Sequence, residues 1–453
     1  MKNIAPKLPV EEYEKNFAEL HPPLTSNSAI TEANRCLYCY DSPCMKACPT
    51  HIDISTFIKK ISTGNLLGSA KTIYESNWVP LTCAKACPVE VLCEGACVYN
   101  LTGEKPIEIG RLQRFAIENY FSKGMPVIFH KSPVNGKSVG VIGSGPAGLA
   151  CGAELSLLGY KVTIYESNKI PGGLNTWGIA PYKMRREDSL KEVEMVKSFC
   201  VEIKTGTMIG RDIKVAELLN QHDAIFLGVG LGESPPLSIP GEKLPGVIGA
   251  LEFIEKVKSE NWEDVHVGKR VAVIGAGNTS IDAATEAKRL GAEQVFIIYR
   301  RSDVEMPAYK FEYDLAKKDG IVFHFLTSPK RIVGKYFVEG IECLKMKLGA
   351  ADNYGRRRSS PIPGSEFIIP VDMVIKAIGQ ETKSSFLSSI PNLTLDNEGC
   401  VVVNPKNFQT TNPRIFAGGD CINGGKEVVN AAYDGKNAAH GIDKFLSLPY
   451  GGK

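Results

Sequence analysis

The sequence predicts a multidomain α+β chain in which a helical N-terminal domain is followed by two α/β domains, the second inserted in the first. Three observations carry this reading. Residues 1–125 show helical apolar spacing with few strand-like runs, short Val/Ile runs alternate with helical patterns from Lys137 onward, and a strand leading into spaced glycines occurs twice. A length of 453 residues exceeds what one core supports and suggests about three domains. Hydrophobic content of 43% and charged content of 23% are those of an ordinary globular protein. The net charge of +3 gives no sign of a nucleic-acid or anionic-membrane partner. The opening residues lack an apolar signal core and no run approaches the roughly 18 apolar residues of a membrane span, so a cytoplasmic protein is expected.

In the N-terminal domain, Asp53 precedes Ile54, Phe57, Ile58 and Ile61, a helical stripe with a capping residue at its start. Leu112, Phe115, Ala116 and Ile117 repeat the stripe between Ile109 and Phe121. A polar, proline-containing stretch at 126–136 then reads as a linker.

The first α/β domain opens with Ser138-Val-Gly-Val-Ile and the loop Gly143-x-Gly145-x-x-Gly148, with Ser144, Pro146 and Ala147 between the glycines. A helical segment, a second strand and Glu166 complete a Rossmann-like dinucleotide unit. The first glycine permits the tight turn, the second admits the pyrophosphate to backbone N–H groups, and the third lets helix and strand pack closely. Glu166 would take the ribose 2′-hydroxyl. The second unit runs from Arg270 through Gly275, Gly277, Asn278, Thr279 and Asp282 to Tyr299-Arg300-Arg301, with Ser280 at the third glycine position, a change expected only to loosen helix packing. Two units imply two nucleotides. Asp223–Gly230 and Val371–Gly379 both read as strands ending in glycine, by which the chain leaves one nucleotide domain for the next, and Pro413–Asp420 would return to the first. The expected division is therefore 1–125, the linker 126–136, a first nucleotide domain at 137–268 and 380–453, and a second at 269–379.

The 13 cysteines are the anomaly: eight lie between Cys36 and Cys97, spaced Cys36-x2-Cys39-x4-Cys44-x3-Cys48 and Cys83-x3-Cys87-x5-Cys93-x3-Cys97. With no secretion signal such a block reads as metal ligation before disulfides. Soft thiolates suit zinc or iron-sulfur centres. The Cys-x-x-Cys pair of zinc ribbons occurs once, whereas Cys48 and Cys87 are each followed by proline, as in ferredoxin runs, so two 4Fe-4S clusters are expected and zinc is the alternative. A nicotinamide delivers hydride and a cluster takes single electrons, so a flavin is needed between them, and FAD is assigned to the first nucleotide site.

These residues resemble the flavin and iron-sulfur electron-input family shared by the glutamate synthase small subunit and the N-terminal half of dihydropyrimidine dehydrogenase. The carrying motifs are Arg35-Cys-Leu-Tyr-Cys39, Ala47-Cys-Pro49, Cys83-Ala-Lys-Ala-Cys-Pro88, Leu92-Cys-Glu-Gly-Ala-Cys97, Gly110-Arg-Leu-Gln-Arg114, Gly172-Gly-Leu174 and Tyr299-Arg-Arg301. Ala47–Asp53, Ile61–Leu66 and Gly172–Ala180 are most similar to the smaller subunits of bacterial NAD-dependent dihydropyrimidine dehydrogenases. The resemblance implies one cluster on Cys36, Cys39, Cys44 and Cys97, another on Cys48, Cys87, Cys93 and Gln113, and Cys83 as a nearby free thiol. It also implies Gly173, Leu174 and Asp420 beside the FAD. It further implies a partner subunit with FMN that reduces uracil or thymine; the equivalent subunit of glutamate synthase or of another NAD(P)H oxidoreductase is the alternative. Arginines in place of an acid at 300 and 301 favour the 2′-phosphate of NADPH, but the resemblance favours NADH, toward which the reading leans. A nucleotide-regulated scaffold with structural zinc remains a third possibility. Cys151, Cys200, Cys343, Cys400 and Cys421 are single, so no redox cysteine pair is expected at the flavin. Trp177, Tyr182 and Met184 read as packing, and His51, His130 and His440 as surface or core residues.

Overall fold

A computed structural model describes residues 3–259, 261–351 and 357–447. The chain divides into two compact units. One comprises Met1–Glu19, Ala180–Tyr182 and Gly232–Glu381, and the other Leu20–Ile179, Lys183–Leu231 and Thr382–Lys453.

The larger unit begins with short helices. After α1 (Val10–Asn16), which belongs to the smaller unit, come α2 (Ser26–Asn34), α3 (Pro43–Ala47), α4 (Ile54–Ser62), α5 (Leu66–Tyr74), α6 (Pro80–Ala86) and α7 (Ile109–Ser122). Ile54, Phe57, Ile58 and Ile61 of α4 are all buried, and Asp53 accepts from Thr56 N at 3.1 Å, so stripe and cap form as the spacing implies. A parallel sheet follows, ordered β14-β4-β1-β2-β3, from β1 (Ser138–Ile142), β2 (Lys161–Tyr165), β3 (Glu202–Lys204), β4 (Ala224–Leu227) and β14 (Ile415–Ala417). It is flanked by α8 (Pro146–Leu157), α9 (Leu174–Trp177), α10 (Arg186–Ser198) and α11 (Val215–Gln221). One continuous apolar core joins the helices to this sheet, running from Ile58 and Trp78 to Leu149, Phe226 and Ile442.

The smaller unit holds a second parallel sheet, ordered β5-β13-β6-β7-β8, made of β5 (Val247–Gly249), β6 (Arg270–Ile274), β7 (Gln294–Ile298), β8 (Val322–His324) and β13 (Met373–Lys376). Its helices are α12 (Ala250–Ser259), α13 (Asn278–Arg289) and α14 (Lys310–Lys318). Between β8 and β13 the chain makes an antiparallel sheet of β9 (Thr327–Val333), β10 (Gly340–Ala351), β11 (Arg357–Pro361) and β12 (Phe367–Ile369). The chain then returns to the larger unit through α15 (Ser384–Leu387), α16 (Asp420–Asn423) and α17 (Val428–Ser447).

Three features differ from the sequence reading. The β5 strand falls in 137–268 yet pairs with β13 through Val247–Gly249, so the second nucleotide domain starts near Gly232. Residues 3–17 pack on the second nucleotide domain and not on the helical one. Ala5 N donates to Val267 O at 2.9 Å, and Phe17 stacks on Trp262 with ring centroids 4.6 Å apart. A helix of seven residues such as α1 has too little local signal to reveal which core its Tyr13 enters. The antiparallel sheet is a further difference, because its β9 and β11 are largely polar and its β12 is only three residues long, too weak a signal beside the Val/Ile runs of the parallel strands.

Within the larger unit, Glu154 of α8 accepts from Trp78 Nε1 at 2.8 Å and pairs with His440 Nε2 of α17 at 3.2 Å. The Glu154 contact raises His440 above 6.5. Burial works to raise Glu154, but His440, Lys436 and Trp78 together hold it below 4.5. The pair therefore stabilises the fold most between those two values. Its contribution is lost as pH falls through the lowered Glu154 value, and again as pH rises through the raised His440 value. His440 is half exposed, so the effect is about 0.5 kcal/mol after solvent screening. Denaturant titrations of His440→Gln should accordingly show a smaller loss of stability than the parent between about pH 6 and 8.

Candidate functional site: two glycine loops and two thiol-lined cavities

The glycine loop of the larger unit lies where β1, β2, β4 and β14 all end, the ligand-binding edge of an open α/β sheet. Gly143 has φ +98°, and a Cβ there would lie 2.4 Å from Gly228 O. A Cβ on Gly148 would lie 1.9 Å from Gly143 O, so this glycine is what lets α8 sit against β1. Gly145 differs. Its φ of −65° and ψ of 178° suit any residue, and a Cβ would meet only Gly173 Cα at 4.0 Å. The space beside Gly145, at the N-terminus of α8 before Pro146 and Ala147, is an open cradle where a pyrophosphate can meet backbone N–H groups, which fits FAD.

Glu166 is 5% exposed and its carboxylate is heavily engaged. Oε2 accepts from Ser144 N at 3.0 Å and Ser144 Oγ at 2.5 Å, and Oε1 accepts from Asn168 N at 2.8 Å. Besides the ribose role read from the sequence, it thus braces the glycine loop. Gly172 N donates to Ser144 Oγ at 2.9 Å, which brings the Gly172–Leu174 turn to the same loop. The Gly418–Asp420 turn packs there too, since a Cβ on Gly419 would lie 3.1 Å from Ala147 Cβ. Asp420 Oδ1 accepts from Lys426 N at 3.2 Å, and burial raises its pKa. Asp434, a residue without a sequence signal, holds this turn by accepting from Gly419 N at 3.0 Å and is pushed up to about 6 by burial. Lys383 likewise carries no sequence signal: its Nζ donates to Val229 O at 2.8 Å in the loop after β4, and burial lowers its pKa against the opposing field of Glu166.

In the smaller unit, β6 leads into Gly275 with φ +125°, where a Cβ would lie 2.1 Å from Ala377 O. A Cβ on Gly277 would meet nothing within 4 Å, the same open cradle as at Gly145. Ser280 does more than loosen the packing: it is fully buried and donates to Ala377 O at 3.2 Å, a tie that glycine could not make. Asn278 Oδ1 accepts from Tyr309 N at 3.0 Å, while Thr279 is exposed. Asp282 lies farther along α13, and its carboxylate accepts from Tyr182 Oη at 2.7 Å, so the structure turns it toward Tyr182. Arg300 is exposed just beyond β7. Arg301 Nε is buried with no hydrogen-bond partner. An unmatched buried donor costs about 1–3 kcal/mol, and at this strand end it suits a nucleotide 2′-phosphate.

The cysteines surround two small cavities in the larger unit, each of about 30 Å³. Cys36, Cys39, Cys44 and Cys97 line the first, with Ile54, Ile58 and Ile109 behind them. Cys48, Cys83, Cys87, Cys93 and Gln113 line the second. Four thiols ring the first cavity, and four thiols with Gln113 ring the second, a donor set that fits iron-sulfur clusters. Burial and neighbouring thiols push Cys44 up to about 11, and the Cys83 contact and burial push Cys87 well up, so these thiols must lose protons when they ligate. Cys83 therefore stands inside the second cavity and is a hydrogen-bond partner of Cys87.

The second cavity is tied to the α/β part of its unit by Glu192 of α10, another residue without a sequence signal. Its Oε1 accepts from Leu81 N at 2.6 Å and Thr82 N at 3.1 Å, and its Oε2 accepts from Thr82 Oγ1, which caps α6. Asn175 Nδ2, one residue past Leu174, reaches Thr82 Oγ1 at 3.4 Å.

Residues 13–125 match the family described as dihydropyrimidine dehydrogenase domain II, 4Fe-4S cluster, and residues 137–435 match the pyridine nucleotide-disulphide oxidoreductase family. The glutamate synthase [NADPH] small chain of Halomonas elongata is 34% identical over 453 residues, covering 98% of this chain and 96% of that one. The chain belongs to the glutamate synthase small-chain family. It is an oxidoreductase whose cofactors are FAD, 4Fe-4S iron-sulfur and a nicotinamide nucleotide. The beta subunit of the NADP(+)-dependent formate dehydrogenase of Moorella thermoacetica is 35% identical, over 89% of this chain and 60% of its own length. Mycobacterium tuberculosis FprA in complex with NADPH superposes with a TM-score of 0.57 over 70% of this chain and 85% of FprA, at 22% identity, a likeness of fold. All 13 cysteines are free thiols in this structure. No described helix is long and apolar enough to cross a membrane.

Proposed function

We propose that this chain is the NADPH-oxidising, electron-input subunit of a heteromeric complex of the glutamate synthase type. The whole-length relation to a glutamate synthase [NADPH] small chain carries the reading. NADPH is preferred over the NADH expected from sequence because that relative is named for NADPH and because Arg301 presents an unmatched donor. Bound at the Gly143–Gly148 loop, FAD would take a hydride from the nicotinamide and part with electrons one at a time to 4Fe-4S clusters.

The chain's own residues hold these groups in place. Gly145 leaves room for the pyrophosphate, Gly173 lets its turn approach Gly145 closely, Glu166 fixes the loop, and Asp434 holds the turn that carries Asp420. Cys36, Cys39, Cys44 and Cys97 would hold one cluster, and Cys48, Cys87, Cys93 and Gln113 the other. Glu192, Thr82 and Asn175 tie the second cavity to the flavin turn. The first cavity lies beside the exposed Leu37 and Tyr40, which suits it to face a partner subunit.

A pyrimidine-reducing partner with FMN is the second reading, favoured by the family matched over 13–125 and by the Ala47–Asp53 and Gly172–Ala180 motifs. Reconstitution decides between them. With NADPH as donor, the chain should restore glutamate formation from glutamine and 2-oxoglutarate to a large amidotransferase subunit, and by itself should reduce artificial dyes only. Restoration of uracil reduction to an FMN-bearing subunit, without the glutamate activity, would establish the second reading in its place.

A further inference from the structure

The second cavity contains one polar group that none of these roles uses. Asn77 lies in the turn between α5 and α6, is 1% exposed, and lines the cavity with Cys48, Cys87, Cys93 and Gln113. Its Oδ1 accepts from Val79 N at 2.9 Å, which assigns the other end of the carboxamide as the N–H₂ group. That Nδ2 is buried and has no hydrogen-bond partner. The polar groups of the first cavity are engaged elsewhere: Ser55 Oγ pairs with Ser42 Oγ at 2.9 Å, and Tyr99 Oη donates to Arg35 O at 2.8 Å. In the second cavity Gln113 Nε2 is likewise occupied, donating to Pro80 O at 2.7 Å. Asn77 is the one asparagine or glutamine among the described residues lining either cavity whose amide nitrogen has no hydrogen-bond partner.

Buried amides are almost always paired, so an orphan amide on a residue that lines a thiol-lined cavity calls for an acceptor beside it. The acceptors a bound cluster brings are sulfurs. We propose that Asn77 donates an N–H···S hydrogen bond to the second 4Fe-4S cluster and thereby raises its reduction potential. The positive end of the N–H dipole stabilises the extra electron of the reduced state, and cluster potentials respond to such bonds. The donor would make the cavity tied to the flavin turn the readier electron acceptor. Asn77 is a positioning and tuning residue, and the inference rests on the cluster reading above.

The test uses the full chain carrying flavin and clusters. Asn77→Leu and Asn77→Asp both remove the donor. Iron and sulfide content should be unchanged in each, and the reduced fraction of the second cluster at a fixed ambient potential should fall at least tenfold, a shift of about 59 mV for one electron. An unchanged potential with both clusters retained overturns the proposal. Should neither variant fold, the parent chain labelled with ¹⁵N in its asparagine amides decides by pulsed EPR. An amide-nitrogen coupling to the reduced second cluster supports the bond, and its absence overturns it. A chain that holds no iron would contradict the cluster reading itself, and iron analysis separates that failure from the others.

Discussion

Gly145→Ala is expected to fold with the stability of the parent apoprotein and to lose its flavin. The backbone at 145 is ordinary, and the added methyl group would meet nothing closer than Gly173 Cα at 4.0 Å, so the folded chain has no objection to it. Its only effect is to fill the cradle. Overpacking of that kind costs about 1–3 kcal/mol, a roughly tenfold to hundredfold weakening of FAD binding. Gly148→Ala is the matched control. There the methyl group would lie 1.9 Å from Gly143 O, so α8 must move off β1 and stability should fall with flavin retention. Flavin content after gel filtration and apoprotein denaturation curves separate the two behaviours. Equal loss of stability in both variants would mean that Gly145 serves the fold and not a ligand.

Arg301→Met should lower kcat/KM for NADPH by about tenfold to a hundredfold and leave NADH nearly unaffected. Hydrogen bonds to a charged group contribute about 1.5–3 kcal/mol, and a 2′-phosphate is the one feature that distinguishes the two nucleotides. In the ligand-free chain Arg301 Nε is buried without a partner, so its removal should not destabilise the smaller unit, and the apoprotein melting temperature should hold or rise. Steady-state rates with each nucleotide and an artificial acceptor check this. Equal losses for NADPH and NADH would assign Arg301 to nucleotide binding in general and leave 2′-phosphate selection to another residue.

What was legible in the sequence was what depends on local pattern. The stripe of Ile54, Phe57, Ile58 and Ile61, the Asp53 cap and the two glycine loops all form where their spacing places them, because each is specified within one helix or one turn. The insertion was legible as well, since the glycine-ended strands β4 and β13 mark where the chain changes sheets. Residues whose meaning lies in a distant partner were not legible. Glu192 reads as one polar position in an amphipathic helix, yet it caps α6 more than 100 residues away. Asp434 and Lys383 serve the glycine loop from other segments, and Asn77 acquires its unpaired amide only when Val79 takes the other end. Asp282 shows the converse, a motif position whose carboxylate is taken by Tyr182, a residue that in the sequence reads as packing. The preference proposed for a glutamate synthase type of complex was not legible in the motifs, since Ala47–Asp53 and Gly172–Ala180 favour pyrimidine reduction and the preference rests on a relation over the whole length.

The central claim is that one chain turns hydride from NADPH into single electrons on iron-sulfur clusters. The most direct measurement is an anaerobic titration of the isolated chain with NADPH, followed by flavin absorbance and by EPR, with metal analysis of the same sample. About eight iron and eight sulfide per flavin, as two 4Fe-4S clusters require, with bleaching of the flavin and appearance of reduced-cluster signals in the same titration, is the predicted result. A colourless protein holding zinc, or a flavin that bleaches while the clusters stay oxidised, would contradict it.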